Sequence, residues 1–268
     1  MKRREAQKIM AQKERAGDFH AHLKSPSYAR AKPVGDDFCN SPSGFWGKVG
    51  AFITVRLFFL VGFLLSFGFR LRVRGRHNLR GVKCAVFTSN HINIFDCALI
   101  RYGVGRRKLK ITVAPFNNYR GPFGAMLRAG GTLPMGTTFA AGRNFSRAVG
   151  SCLSGGESVL FYPEGSLWRG YEKPRPLLDG AFYAAARAGV PVVPLFFTFR
   201  VKKRNGKLKK KMILHICPPV YPDAALSAHE NTARLRLAVN ETYLETYRNT
   251  YGREPTYLSD ETGAAVTQ

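Results

Sequence analysis

A chain of 268 residues with 42 Lys and Arg against 17 Asp and Glu carries a formal net charge of +25. That excess points to an anionic partner (nucleic acid, anionic lipid or an acidic carrier protein), while the length suits one compact α/β domain, alone or with a short appendage. Cys39, Cys84, Cys97, Cys152 and Cys217 are scattered without a Cys-x-x-Cys pair, and no two histidines are spaced to share a helix face, which argues against a zinc site, a disulfide framework or any bound metal and makes a reducing compartment the default.

Residues 1–43 read as a basic, polar arm and linker. A short helix is predicted up to Arg15, and the Pro-, Gly- and Ser-containing run 25–44 reads as linker. A solvated tail is the expectation; electrostatic adhesion to anionic lipid is the sharper alternative. Residues 44–70 form the most apolar stretch. The run 49–69 is just long enough for a bilayer core of ~20 residues, although Arg56 interrupts it and Arg70, Arg72, Arg74 and Arg76 follow at once. A long polar arm precedes it, so a cleaved signal peptide is not expected. A spanning helix, a membrane-dipping helix pair and a buried core helix all fit. In-plane or dipping attachment is preferred, with the arginines at lipid head groups on the cytoplasmic side.

Residues 71–252 read as the main domain, with a polar, loose tail at 253–268. Strands are predicted at 84–88, 109–113, 132–135, 158–162, 190–198 and 211–217. Helices are predicted at 93–102, 123–129, 139–153, 179–188 and 228–247. Such alternation implies an α/β fold with a mostly parallel central sheet flanked by helices, preceded by the apolar helical segment. Two basic clusters stand out, at 106–110 and 200–211. The second contains Asn205-Gly206, which predicts a hairpin turn. Neither cluster interleaves aromatic residues, so base stacking has no support.

Two segments carry candidate chemistry. In the first, an apolar run through Ala85, Val86 and Phe87 leads to His91, with Asp96 five residues on. Positions i and i+5 do not share a helix face, so a His91–Asp96 contact requires His91 in the turn before the helix, bent back toward it. In the second, Val159 to Phe161 runs into Tyr162-Pro163-Glu164-Gly165-Ser166, a turn with a carboxylate, exposed backbone N–H groups and a hydroxyl.

Taken together, Asn90-His91-x4-Asp96, Phe161 to Ser166, Gly180-Ala181-Phe182 and Gly189 to Pro194 resemble the glycerolipid acyltransferases, of which 1-acylglycerol-3-phosphate acyltransferase is the best-known activity. The resemblance runs from about Arg70 to Pro219. It implies an O-acyltransferase of phospholipid synthesis that moves a fatty acyl group from an acyl thioester to the hydroxyl of a lysolipid, 1-acylglycerol-3-phosphate first, at the cytoplasmic face of a membrane. The donor would be acyl-CoA or acyl carrier protein, used as substrate, with no cofactor and no metal. His91 would act as general base and Asp96 would orient it. Glu164, Gly165, Ser166 and Arg169 would bind the acceptor.

Two departures bear on the acceptor. Gly136 and Leu167 stand where relatives commonly carry phosphate-binding arginines. Arg169, Lys173, Arg175 or Arg143 are candidate replacements, or the acceptor carries another head group. Trp168 and Tyr171 would then stack on a sugar or ring; packing at the membrane interface is the plainer expectation for both. Cys97, beside Asp96, is expected to pack rather than attack. The rivals are an acyltransferase with a different lipid acceptor, a hydrolase using the same base on water, and a basic nucleic-acid-binding protein. The last rests on charge alone and leaves both motifs unexplained.

Overall fold

A computed structural model describes residues 3–35, 44–204 and 207–262. The chain begins with α1 (Arg3–Arg15) and α2 (Gly44–Gly68), followed by β1 (Arg72–Arg74) and a short 3-10 turn. The alternating part comprises β2 (Val86–Ser89), α3 (Asp96–Val104), β3 (Leu109–Val113), α4 (Gly121–Ala129), β4 (Thr132–Pro134), α5 (Phe139–Ser154), β5 (Ser158–Phe161) and α6 (Gly180–Ala188). A long pair, β6 (Val192–Arg204) and β7 (Lys207–Ile216), precedes α7 (Ala228–Tyr251) and α8 (Leu258–Thr262).

The strands form one seven-stranded sheet in the order β1-β7-β6-β2-β5-β3-β4. Every neighbouring pair is parallel except β6 and β7, which run antiparallel from Leu195↔Ile216 to Arg204↔Lys207. The predicted Asn205-Gly206 turn lies outside the described residues, as do Cys39, most of the second half of the linker and the end of the tail. β6 is longer than its apolar run, because backbone pairing continues through basic residues that need no burial. β1, an edge strand of alternating Arg and Val, was hidden inside the arginine cluster.

Period-two alternation sorts the strand residues onto two cores. Phe87, Leu160, Leu195 and Phe197 face α3, with Leu99 and Ile100. Val86, Val159, Phe161 and Phe196 face α5, α6 and α7, with Phe182, Leu235, Val239 and Tyr243. The helix ends are set locally. Ser227 and Glu230 close a capping box on α7, and Thr138 Oγ1 accepts from the Ala141 N–H at the start of α5. Gly189 ends α6 at φ 63°, a left-handed position that favours glycine.

α2 is not a buried core helix. Phe52, Ile53, Leu57, Leu60, Leu64 and Phe67 are exposed along it. Its other side packs on α3 and α4: a Cβ at Gly62 would lie 2.2 Å from the Ala98 carbonyl oxygen, and one at Gly130 would lie 2.1 Å from the Phe58 ring. Among the described residues it is the one helix long and apolar enough to cross a membrane, by length and composition.

The terminal segments overturn the expectation of a solvated arm and a loose tail. Met10 and Phe19 are buried with Trp168 and Tyr171, and Tyr257 packs against them. Glu14 is buried between Lys173 and the Leu258 N–H. Farther along, Arg120 donates through its backbone N–H to the Arg30 carbonyl and through Nε to that of Ala31. The apolar anchors are few and separated by polar residues, so the hydropathy of the arm conceals them.

Candidate active site

Both motif segments leave the sheet at the carboxyl ends of adjacent parallel strands. The register Val86↔Val159 and Thr88↔Phe161 aligns β2 with β5, so His91 and Glu164, 73 residues apart, emerge side by side. Ligand sites of open α/β sheets form at this edge. Asn90 fixes the end of β2: its Nδ2 donates to the Phe197 carbonyl and its Oδ1 accepts from the Phe197 N–H.

His91 lies in the loop before α3, and Asp96 is the first residue of that helix. The imidazole Nδ1 is 3.0 Å from Asp96 Oδ2. The same oxygen accepts from the backbone N–H groups of Ile92 at 2.8 Å and Asn93 at 2.9 Å. The carboxylate therefore organises the loop as well as the ring. The His91 side chain keeps 24% exposure while that of Asp96 has none. The ring lies on Tyr162, with centroids 4.0 Å apart. Its Nε2 has no hydrogen-bond partner among the described residues. A ring held by Nδ1–H in this way presents Nε2 as a proton acceptor. Burial pushes the Asp96 carboxyl above its ordinary value, and the His91 contact and the two N–H groups oppose that shift. Burial also drives the Tyr162 phenol well above its usual range and raises the Cys97 thiol, with Asp96 adding to both. Neither group supplies a second base or a thiolate.

The Glu164-Gly165-Ser166 turn closes against the loop around His91. Glu164 Oε2 accepts from the His91 N–H at 3.0 Å. Trp168 N–H donates to the His91 carbonyl and Gly170 N–H to that of Ile92. Arg175 occupies the centre. Its Nε and Nη2 donate to Glu164 Oε2 at 3.1 and 2.7 Å, and its Nη1 donates to Ser166 Oγ at 3.1 Å. Nη1 also donates to the Phe19 carbonyl at 2.7 Å, and Nη2 to the Ser166 carbonyl at 2.5 Å.

Of the four residues expected at the acceptor, Glu164 and Ser166 are buried by these contacts, whereas Gly165 and Arg169 are exposed. Gly165 has φ 78°, and a Cβ there would meet Leu178 and the His20 ring. His20 Nδ1 lies 3.1 Å from the Glu164 carbonyl oxygen.

Trp168 and Tyr171 do not pack at a membrane interface. Trp168 is fully buried, its Nε1 donates to the Ala21 carbonyl, and its ring stacks on Phe19. Of the candidate replacement cations, Arg175 is committed to Glu164, Lys173 to Glu14, and Arg143 lies over the Phe139 ring. Gly136 cannot be exchanged freely for arginine. A Cβ at that position would lie 2.4 Å from the Ala141 Cβ, inside the first turn of α5. The roles of Tyr162, of Arg175 toward Glu164 and of residues 19–21 were invisible in the sequence. An arginine with a carboxylate eleven residues away and an isolated phenylalanine, Phe19, in a polar arm form no pattern.

No curated protein matches the sequence. A model of the Acyltransferase family matches residues 70–198. The crystal structure of the 1-acyl-sn-glycerophosphate (LPA) acyltransferase PlsC from Thermotoga maritima resembles this fold with a TM-score of 0.58 at 18% identity, over 75% of this chain and 81% of that one. At that identity the likeness carries the fold.

Proposed function

We propose that this chain, whose residues 70–198 match a model of the Acyltransferase family, moves a fatty acyl group from an acyl thioester to the hydroxyl of a lysolipid at a membrane surface. The observation that carries the reading is the 3.0 Å His91–Asp96 contact beneath a partly exposed ring. His91 Nε2 takes the proton of the acceptor hydroxyl as its oxygen attacks the thioester carbonyl carbon. Asp96 holds the tautomer and stabilises the imidazolium. The tetrahedral intermediate collapses with cleavage of the C–S bond, and the imidazolium returns its proton to the departing sulfur. No acyl-enzyme forms.

Glu164 acts as a positioning residue, tying the His91 backbone to the turn through Arg175. The exposed Gly165 backbone and Arg169 are the parts of that turn that meet the acceptor. The PlsC of Thermotoga maritima is a 1-acyl-sn-glycerophosphate acyltransferase, and 1-acylglycerol-3-phosphate is the first acceptor to try here. Because Gly136 and Leu167 supply no cation, a lysolipid with another head group is the second reading. Acyl-CoA and acyl carrier protein are both donors to test.

Membrane attachment is proposed through α2. Leu57, Leu60, Leu64 and Phe67 recur every three or four residues, which places them on one helix face. Phe69, just beyond that face, meets Phe95 in the loop that carries His91, with ring centroids 6.2 Å apart.

The deciding experiment incubates purified protein with a labelled acyl thioester and a panel of lysolipids, followed by chromatography of the products. Acylated lipid from the wild type and none from a folded His91→Ala variant is the expected result. Free fatty acid without acylated lipid would replace transfer by hydrolysis, and near-normal rates in His91→Ala would remove the base.

A further inference from the structure

A second feature lies at the other end of α3 and belongs to no part of the reaction. A cleft of about 530 Å³ opens between Phe59 of α2, Tyr102 near the end of α3, and Arg76, Arg80 and Arg107. No carboxylate lines it. α3 has 9 residues, so roughly 12 Å of helix separates the cleft from Asp96 at 1.5 Å per residue.

Two of the guanidinium groups are fixed in place. Arg76 donates through Nε to the Gly103 carbonyl at 3.0 Å and lies over the Tyr102 ring. Arg107 donates to the carbonyls of Val82 at 2.5 Å and Leu79 at 2.6 Å. Each retains N–H groups beyond those bonds, because a guanidinium carries five donors. Arg80 is exposed and no carboxylate engages its guanidinium among the described residues. Three preorganised or free cations without a counter-charge suit a phosphate, which arginine recognises through its planar fork. The opposite wall is Phe59, and Phe63, one helical turn on, meets the same Tyr102 ring and is itself partly exposed. One small site therefore offers phosphate ligands next to an apolar face, a combination that fits an amphiphile rather than a free anion.

We propose that this cleft binds the phosphate of an anionic phospholipid head group, with the lipid chains lying along α2. The site orients the protein on the membrane, apart from the substrates of the reaction.

The test uses the full-length protein and flotation with vesicles of phosphatidylcholine, alone or doped with phosphatidylglycerol. Arg80→Glu is compared with Arg147→Glu, an equal charge reversal on the exposed side of α5. Arg80→Gln serves as the neutral variant, and melting curves check folding. A basic residue near an anionic surface contributes about fivefold to partitioning, so reversing Arg80 should reduce phosphatidylglycerol-dependent binding at least tenfold. Arg147→Glu should change it less than about threefold. Equal losses in both variants would assign the effect to diffuse charge and overturn the proposal. Unchanged vesicle binding in Arg80→Glu would also overturn it. A raised KM for acyl-CoA in that case would give the cleft to the nucleotide phosphates of the donor instead. Because binding is read without turnover, failure here leaves the acyl-transfer reading standing, and failure of transfer leaves the cleft untouched.

Discussion

Replacing Arg175 by methionine should unfold the candidate site more than any other single change around it. Arg175 and Glu164 are each 1% exposed, and their closest approach is 2.7 Å. Methionine keeps much of the side-chain volume but removes every side-chain donor, leaving the residue-175 backbone N–H on Glu164 Oε1 at 3.3 Å. Glu164 Oε2 would keep only the His91 N–H, while Ser166 Oγ and the carbonyls of Phe19 and Ser166 would lose their guanidinium donors. A buried charge stripped of its partner costs about 3–5 kcal/mol. For a domain of this size, 1 kcal/mol shifts the melting midpoint by about 2–4 °C, so Arg175→Met should lower Tm by roughly 6–20 °C. Glu164→Gln removes the orphaned charge. The double variant should therefore be more stable than the sum of the two single losses by about 2 kcal/mol or more. Melting curves of the four proteins in one detergent give the cycle. A loss below about 1 kcal/mol for Arg175→Met, or single effects that simply add, would refute the claim that the pair holds the turn.

Asp96→Asn should lower kcat by about 10³–10⁴-fold if its role is to fix the imidazole tautomer; a loss under tenfold in a folded protein would reduce Asp96 to a loop anchor. Burial, aided by Arg74, lowers the His215 pKa to about 4. Between its ordinary value of 6.5 and about 4 the unfolded chain binds more protons, so stability should fall as pH drops through that window and be regained on return to neutral. His215→Gln should flatten the dependence of Tm on pH there, and an unchanged profile would count against a buried neutral imidazole. Gly62→Val should drive a side chain into the Ala98 carbonyl and cost about 1–3 kcal/mol, while leaving α2 as apolar as before. Lost thermal stability with retained vesicle binding is the expected pair of results, and an unchanged Tm would mean that α2 does not dock on α3.

What could be read from the chain depended on whether a residue's partners were close in sequence or announced by a pattern. β5 is a short, largely apolar run between Gly155-Gly156 and Pro163-Glu164-Gly165, and a parallel strand buried on both faces needs nothing else. The His91–Asp96 geometry was legible as a condition, since at a spacing of five a contact requires the histidine to lie before the helix and bend back onto it. β1 was not, since two of its three residues are arginines at an edge where only backbone pairing counts. The packed tail was not either: Tyr257 is one aromatic residue among polar neighbours, yet its hydroxyl donates to the Pro174 carbonyl at 2.6 Å.

The same distinction explains why the site extends past the family match. Residues 70–198 contain His91, Asp96, Glu164 and Arg175, but Arg175 is completed by the Phe19 carbonyl and Trp168 by that of Ala21. Those two acceptors are backbone atoms, which carry no side-chain signature, so residues 19 and 21 look like ordinary linker. Phe19 is what makes them available. Its ring, buried against Trp168 and Tyr257, fixes the arm across the Glu164 turn. Without it, a buried guanidinium and a buried indole N–H would each lose an acceptor, at about 1–3 kcal/mol per unmet group. The arm is therefore part of the wall of the site, and a boundary drawn at residue 43 or 70 on composition alone cuts through the structure that holds His91 in place.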